Sequence, residues 1–305
     1  MRITGTFLDE ITHDIPSQNW GPEEWARDFD AMQAVGIDTV ILIRAGYRRQ
    51  ATFDSQVLRE RMGAFPAYVD LVDLFLGQAE RCGMDFFFGT YDSGQYWTHG
   101  DHQREVDINR AFCDEVVARY GHRKAFTGWY ISHEIDAYDD GMMAVYEQLS
   151  NHLRGLKQGP ILMSPYVRGV KQFGAKAFSL EQHIAEWEQV FARLQGLVDV
   201  VAFQDGQVDY DELPAYLEAN RTLAARYGIA SWSNIESFDR DMPIKFPPTD
   251  FRKLRYKMEM AARAGIEKLI TFEFSHFMSP NSIYPAAHHL YRRYREWLQA
   301  QRTAG

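Results

Sequence analysis

Residues 251–273 read FRKLRYKMEMAARAGIEKLITFE. The first part, 251–264, spaces its apolar residues as an amphipathic helix does. Gly265 follows, and then 268–273 (KLITFE), a short apolar run. A glycine just past a helix end takes the left-handed cap conformation at no steric cost. The segment therefore reads as helix, stop, buried strand. The same junction recurs at Val35-Gly36-Ile37, Cys82-Gly83-Met84 and Tyr227-Gly228-Ile229.

Working outward, eight short apolar runs appear: 2–8, 38–43, 84–89, 126–132, 160–164, 198–203, 229–234 and 268–273. β-Branched and aromatic residues dominate most of them, as in strands buried on both faces. Helix-like stretches alternate with them, near 22–35, 66–81, 102–120, 140–157, 179–195, 211–227, 251–264 and 284–299. Pro22 with Glu23 and Glu24 marks one helix start, and Ser179 with Gln182 fits a capping box. Helix-to-strand junctions are short, whereas the opposite ones are long: 44–65, 90–101, 133–139, 165–178, 235–250 and 274–283. Eight βα units with every long loop at one end predict a single (β/α)8 TIM barrel spanning 1–305, α/β in class. The competing doubly wound sheet would carry a glycine-rich phosphate turn after its first strand, and none is present.

Composition narrows the function. Lys+Arg 33 against Asp+Glu 42 gives a net charge of −9, the wrong sign for a nucleic-acid backbone. No apolar run reaches the length of a membrane span. The opening Met-Arg-Ile-Thr-Gly-Thr-Phe has neither a long apolar stretch nor a small-residue cleavage site, and reads as the first strand. Cys82 and Cys113 are the two cysteines, expected as reduced buried thiols of a cytoplasmic protein. Aromatic residues reach 14%; the excess can be core, and it also suits a cleft that stacks on flat apolar faces.

A barrel of this kind places its chemistry at the C-terminal ends of the strands. Those ends hold Asp9, Arg44, Asp92 with Trp97, His133-Glu134, Tyr166, Gln204-Asp205, Trp232 with Asn234 and Glu236, then Glu273 and His276. Carboxylates that bridge hydroxyls and aromatics that stack on a pyranose face are the materials of a sugar site. Phosphate-ester sites want glycine-rich ends at strands 7 and 8, and these are Trp-Ser-Asn-Ile-Glu and Thr-Phe-Glu-Phe instead.

Glu134 follows Gly128-Trp-Tyr-Ile-Ser-His133 at the end of the fourth run, and Glu236 follows Trp232-Ser-Asn-Ile235 at the end of the seventh. This pattern resembles clan A, the barrel superfamily of retaining glycoside hydrolases. There the acid/base glutamate ends strand 4 and the nucleophile ends strand 7. The Asn that precedes the acid/base in that clan is His133 here, so the usual contact to the sugar 2-hydroxyl does not carry over. The chain as a whole also resembles a bacterial glycosidase-like TIM-barrel family, a domain of unknown function. That likeness rests on Gly5-Thr-Phe-Leu-Asp-Glu10, on Trp25, Phe29, Met32 and Gly36-Ile-Asp38, and on Val40-Ile-Leu-Ile-Arg44.

Two carboxyls about 5–5.5 Å apart serve retaining hydrolysis. Both ionised, they would repel by about 3 kcal/mol at an effective dielectric near 20. That is roughly two pKa units, enough to keep one protonated near neutral pH. The expected roles are Glu134 as acid/base and Glu236 as nucleophile, against rim salt bridges to Arg44, Arg168 or Arg240. Glu273 competes for the place of Glu236; its other roles are holding a hydroxyl or pairing with Arg44. Asp9, Arg44, Asp92, Gln204 and Asn234 are expected to bind hydroxyls or orient the glutamates. Trp97, Tyr166 and Trp232 are expected stacking platforms, and His276 reaches in from the last loop. Trp129 and His133 alternate outward, and His288-His289 takes no role.

Two alternatives stand beside this reading. A metal-dependent sugar isomerase or aldolase would draw ligands from Glu134, Asp205, Glu236, Glu273 and His276, without any close-spaced ligand motif. A non-catalytic carbohydrate-binding barrel would keep the aromatics and idle the carboxylates. The expected partner is a carbohydrate, with no cofactor and no nucleic acid or membrane.

Overall fold

The computed structural model describes residues 1–13, 15–240 and 242–303. Eight parallel strands close into a barrel: β1 (Ile3–Leu8), β2 (Thr39–Leu42), β3 (Asp85–Gly89), β4 (Phe126–Tyr130), β5 (Ile161–Met163), β6 (Val200–Gln204), β7 (Ala230–Asn234) and β8 (Lys268–Thr271). Each pairs with its neighbours in chain order, and β8 closes on β1. The main helices follow in turn: α1 (Pro22–Val35), α2 (Leu71–Cys82), α3 (His102–Tyr120), α4 (Asp140–Leu156), α5 (Leu180–Leu194), α6 (Leu213–Arg226), α7 (Phe251–Arg263) and α8 (Pro285–Thr303). The expected junction glycines all adopt left-handed φ: 87° at Gly36, 67° at Gly83, 69° at Gly228 and 74° at Gly265. The capping box at Ser179 and Gln182 also forms.

Period-2 alternation divides the core in two. Val200, Ala202 and Ile270 face the barrel axis with Phe7, Ile41, Phe87 and Tyr130. Val201, Phe203, Trp129 and Leu269 face the helix layer. Gly128 faces inward and makes room for the Phe87 ring, which a Cβ there would meet at 2.5 Å. Cys82 and Cys113 are free and buried, as expected. Among the described residues no helix is long and apolar enough to cross a membrane.

Two expectations need correction. The segment 44–65 is not plain loop. It contains a hairpin of Gly46–Tyr47 and Gln50–Ala51, a helix at Gln56–Met62 and a short strand at Phe65–Pro66. With Tyr91–Asp92 these strands make a four-stranded sheet over the barrel mouth. The helix is capped by Ser55, whose side chain accepts from the Leu58 amide, and stops at left-handed Gly63. The second correction concerns strand ends. β4 stops at Tyr130 and β8 at Thr271, so Glu134 and Glu273 lie on the following loops. The peptide bond between Phe272 and Glu273 is cis.

Candidate active site

A cleft of about 340 Å³ opens at the C-terminal ends of the strands. It lies within the size range of small-molecule sites, about 300–1,000 Å³. Residues at or beyond all eight strand ends line it. Of the residues singled out from sequence, Arg44, Asp92, Trp97, Glu134, Tyr166, Gln204, Asn234 and Glu236 line this one space.

Asp9, Trp232, Glu273 and His276 do not line it. Asp9 is buried and shapes its own turn: Oδ1 accepts from the Thr12 amide at 3.1 Å and its hydroxyl at 2.7 Å. That turn presents Thr12 and His13 to the cleft. Trp232 faces the barrel axis one layer below Asn234, in register with Lys268 at the start of β8, with its ring 6.0 Å from Phe87. Glu273 is buried and caps the short helix Phe274–Phe277. It accepts from the Ser275 and His276 amides at 2.7 Å and from His276 Nδ1 at 2.5 Å. His276 Nε2 bonds Pro16 O at 2.8 Å on the other side. Phe272 takes the cleft position instead.

Each cleft glutamate meets an arginine. Glu236 is gripped by Arg240 through a fork, Nε to Oε2 at 2.8 Å and Nη2 to Oε1 at 2.5 Å. Its side chain is 2% exposed, against 27% for Glu134. The Glu236 carboxylate lies over Gly206, where a Cβ would sit 1.6 Å from Oε2. Its backbone is held as well: its N–H donates to Asp205 Oδ1 at 3.0 Å, and Lys257 of α7 donates to its carbonyl at 3.1 Å and to Asp205 at 2.8 Å. Burial pushes the Asp205 carboxyl above its ordinary value, and the Lys257 ammonium pulls against this.

Glu134 has its Oε2 3.6 Å from Arg44 Nη2. Arg44 Nε also donates to Asp92 Oδ2 at 3.1 Å, while Asp92 Oδ1 accepts from the Trp97 indole and the Gly94 amide, both at 2.8 Å. Burial works against charge on Arg44, but Glu134 and Asp92 outweigh it and hold the guanidinium pKa above normal. For Asp92, burial is likewise outweighed, by Arg44, His133 and the Trp97 and Gly94 donors, and its carboxyl stays below the usual range. His133 points to the helix layer, as alternation implies, with Nε2 2.9 Å from Glu105 of α3. The chain just before Glu134 is thereby braced, with Tyr146 donating to the His133 carbonyl at 2.5 Å.

Two acceptors along the cleft are buried without hydrogen-bond partners, Asn234 Oδ1 and Gln207 Oε1. Asn234 donates its Nδ2 to Ser164 at 3.1 Å, which fixes the amide. Buried acceptors of this kind are ordinarily satisfied, so both are suited to a ligand's hydroxyl donors. The residues weighed as metal ligands do not form one set. Among the described residues, the group with ligand atoms within 4.8 Å of one another is Asp92, Glu105 and His133. Hydrogen bonds to Arg44, Trp97 and Ser93 already engage its carboxylates. Sequence reasoning passed over Arg48, Gln172, Gln207 and Phe238 in the lining.

A family model described as a domain of unknown function (DUF4434) matches residues 3–284. The chain belongs to this family. The DUF4434 barrel is similar to a crystal structure from Bacteroides thetaiotaomicron VPI-5482, provisionally described as an alpha-L-fucosidase. The identity is 50%, the TM-score 0.94, and the match covers 98% of this chain and 93% of that one. The endo-1,4-beta-D-mannanase of Thermotoga petrophila RKU-1 shares the fold at 10% identity and TM-score 0.61, over 97% of this chain and 99% of that one. A family 5 glycoside hydrolase from Bacteroides vulgatus ATCC 8482 shares it at 14% identity and TM-score 0.56, over 84% and 56%. The sequence-level resemblance to glycosidase barrels thus holds in three dimensions. No curated protein matches the chain in sequence.

Proposed function

We propose that this chain is a glycoside hydrolase that works with retention, as one barrel domain, through Glu134 and Glu236. The observation that carries the reading is that these carboxylates, from the loops after β4 and β7, open on one cleft whose buried amide acceptors lack partners. Glu134, the more exposed, gives its proton to the glycosidic oxygen. Glu236 attacks the anomeric carbon as the bond to the leaving alcohol breaks, forming a glycosyl ester. For this step Arg240 yields one carboxylate oxygen to the substrate. Glu134, now ionised, takes a proton from water, and that water releases the sugar and restores Glu236. Asn234, Gln204 and Asp92 hold hydroxyls, and Trp97 and Tyr166 supply faces for stacking.

The relative described as an alpha-L-fucosidase makes α-L-fucosides the first substrates to try. The apolar floor of the cleft, Phe7, Ile43 and Phe272, suits the methyl group of a 6-deoxyhexose. The buried free thiols fit a cytoplasmic enzyme. One observation favours a second reading, a sugar-binding barrel without turnover: both carboxylates face arginines. The test is to measure release of 4-nitrophenol from α-L-fucosides and other aryl glycosides, alongside binding of the same sugars. Turnover that Glu236→Gln abolishes, and that Glu134→Gln lowers far more on alkyl than on 4-nitrophenyl glycosides while keeping binding, establishes the hydrolase. Binding without turnover in the wild type establishes the second reading.

A further inference from the structure

Arg48 occupies a backbone conformation that arginine rarely takes. It is the first of the two turn residues in the hairpin between Gly46–Tyr47 and Gln50–Ala51, with φ +52°. Turns of this length favour glycine, asparagine or aspartate where φ is positive. A long side chain in that region costs free energy, and such outliers cluster where a side chain has a task. The turn is bolted in place. The Arg48 amide donates to Asp92 O at 2.9 Å, and its carbonyl accepts from the Tyr91 hydroxyl at 2.8 Å.

The side chain is also placed. Its guanidinium lies 4.9 Å from the centre of the Tyr47 ring, which in turn bonds His13 at 2.9 Å. Its aliphatic stem runs over Gly94, where a Cβ would meet both Cγ and Nε of Arg48 at 2.9 Å. Arg48 lines the cleft, yet among the described residues it has no carboxylate within ion-pair distance, while Arg44 and Arg240 are each engaged with acids. An exposed arginine that merely kept the protein soluble would need neither the positive φ nor the glycine beneath it.

We propose that Arg48 is a specificity-determining residue that receives an anionic group, a carboxylate or a sulfate ester, on the sugar chain bound in this cleft. Guanidinium is suited to both, since its planar donors match two oxygens at once. The inference rests on the carbohydrate reading of the cleft and deepens it, naming acidic glycans as the substrate class. Arg44 is already engaged by Asp92 and Glu134, so the acidic group lies on the Tyr47 side, beside Arg48.

Calorimetric titration of the whole chain with two matched pairs tests this. One pair is fuco-oligosaccharides with and without sulfate esters, the other oligogalacturonates and neutral galacto-oligosaccharides of equal length. Wild type is expected to prefer the anionic member of at least one pair about tenfold, equivalent to about 1.4 kcal/mol, and the pair that responds names the group. Arg48→Gln and Arg48→Gly are expected to cut that ratio to about twofold or less. Arg49→Gln, the same charge change one residue on and outside the cleft lining, is expected to keep it. Glycine relieves the backbone, so Arg48→Gly is expected to melt no lower than wild type. A preference that survives in both Arg48 variants overturns the proposal, as does wild type with no preference in either pair. In the latter case binding of the neutral sugars leaves the carbohydrate reading standing. Failure of every oligosaccharide to bind wild type overturns the carbohydrate reading and this inference with it.

Discussion

Gly206→Ala adds one methyl group under the Glu236 carboxylate. The new Cβ would lie 1.6 Å from Oε2, 2.3 Å from Cδ and 2.8 Å from Arg240 Nε. Ordinary contact begins near 3.4 Å, so Oε2 must retreat by about 1.8 Å. The Glu236 backbone cannot follow, because Asp205 and Lys257 hold its N–H and carbonyl. The displacement falls on the side chain and pulls it out of the Arg240 fork. Charge-assisted hydrogen bonds of this kind contribute about 1.5–3 kcal/mol, which in a protein of this size lowers Tm by about 2–5 °C. A misplacement of about 1 Å at a reacting group costs on the order of 100-fold in rate, and the same loss is expected here in kcat/KM on an aryl glycoside. Gly206 is not among the glycines of positive φ, so alanine meets no backbone penalty and the contact is tested alone. Gly155 in α4 has nothing within 4 Å of its would-be Cβ. Gly155→Ala is therefore expected to leave activity unchanged and to raise stability by about 0.5–1 kcal/mol. Thermal unfolding and initial rates on the two variants decide the matter. A Gly206→Ala protein with wild-type Tm and activity within about threefold would refute the placement of Glu236 and its role.

Glu134→Gln is expected to lower kcat by about 100–10,000-fold on alkyl glycosides and far less on 4-nitrophenyl glycosides, whose leaving group needs no proton; equal losses on both would count against the acid role. Burial disfavours the charged form of His276, but Glu273 outweighs it and pushes the His276 pKa up to about 9. The pair therefore stabilises the fold fully below about pH 6.5 and loses its effect as pH rises through about 9. His276→Gln is expected to flatten the fall in Tm over that window, and an unchanged pH profile would contradict the pairing. Asp28 is buried, and that burial, resisted by donors from Ser279 and Asn281, raises its pKa to about 6. Its contribution is present below about pH 4 and lost as pH rises through about 6, so Asp28→Asn is expected to gain in Tm relative to wild type at pH 7–8 and not at pH 4.

The barrel was legible because its signals are local and repeated. Gly36, Gly83, Gly228 and Gly265 each end a helix without help from elsewhere. Strand-end reasoning likewise gathered Arg44, Asp92, Glu134 and Glu236 into one cleft. It went astray where alternation was ambiguous. In Lys268–Glu273 both faces carry apolar residues, and nothing local tells that Ile270 and Phe272 face the axis side, which turns Glu273 to the back. Trp232 failed differently: its parity was right, but depth along the strand decides between cleft and barrel floor, and depth depends on register with β8. Arg48 and Lys257 were out of reach because their meaning comes from partners far along the chain, Gly94 and Asp205.

The unequal treatment of the two glutamates follows from where their braces originate. Glu236 is fixed by groups that cannot move without disturbing the helix layer: Lys257 belongs to α7 and is itself buried against Asp205. Glu134 faces Arg44 at 3.6 Å with its side chain 27% exposed, against 2% for Glu236, and the chain before it is braced at the His133 carbonyl. A buried carboxylate beside a more exposed one is what a double-displacement reaction asks for. The nucleophile must hold one line of attack, while the acid/base must reach a leaving oxygen in one step and a water in the next. A sugar-binding barrel would have no use for that asymmetry. A variant that shields Glu134 from solvent without removing it should therefore impair turnover, read as kcat on an aryl glycoside, more than calorimetric binding of the same sugar.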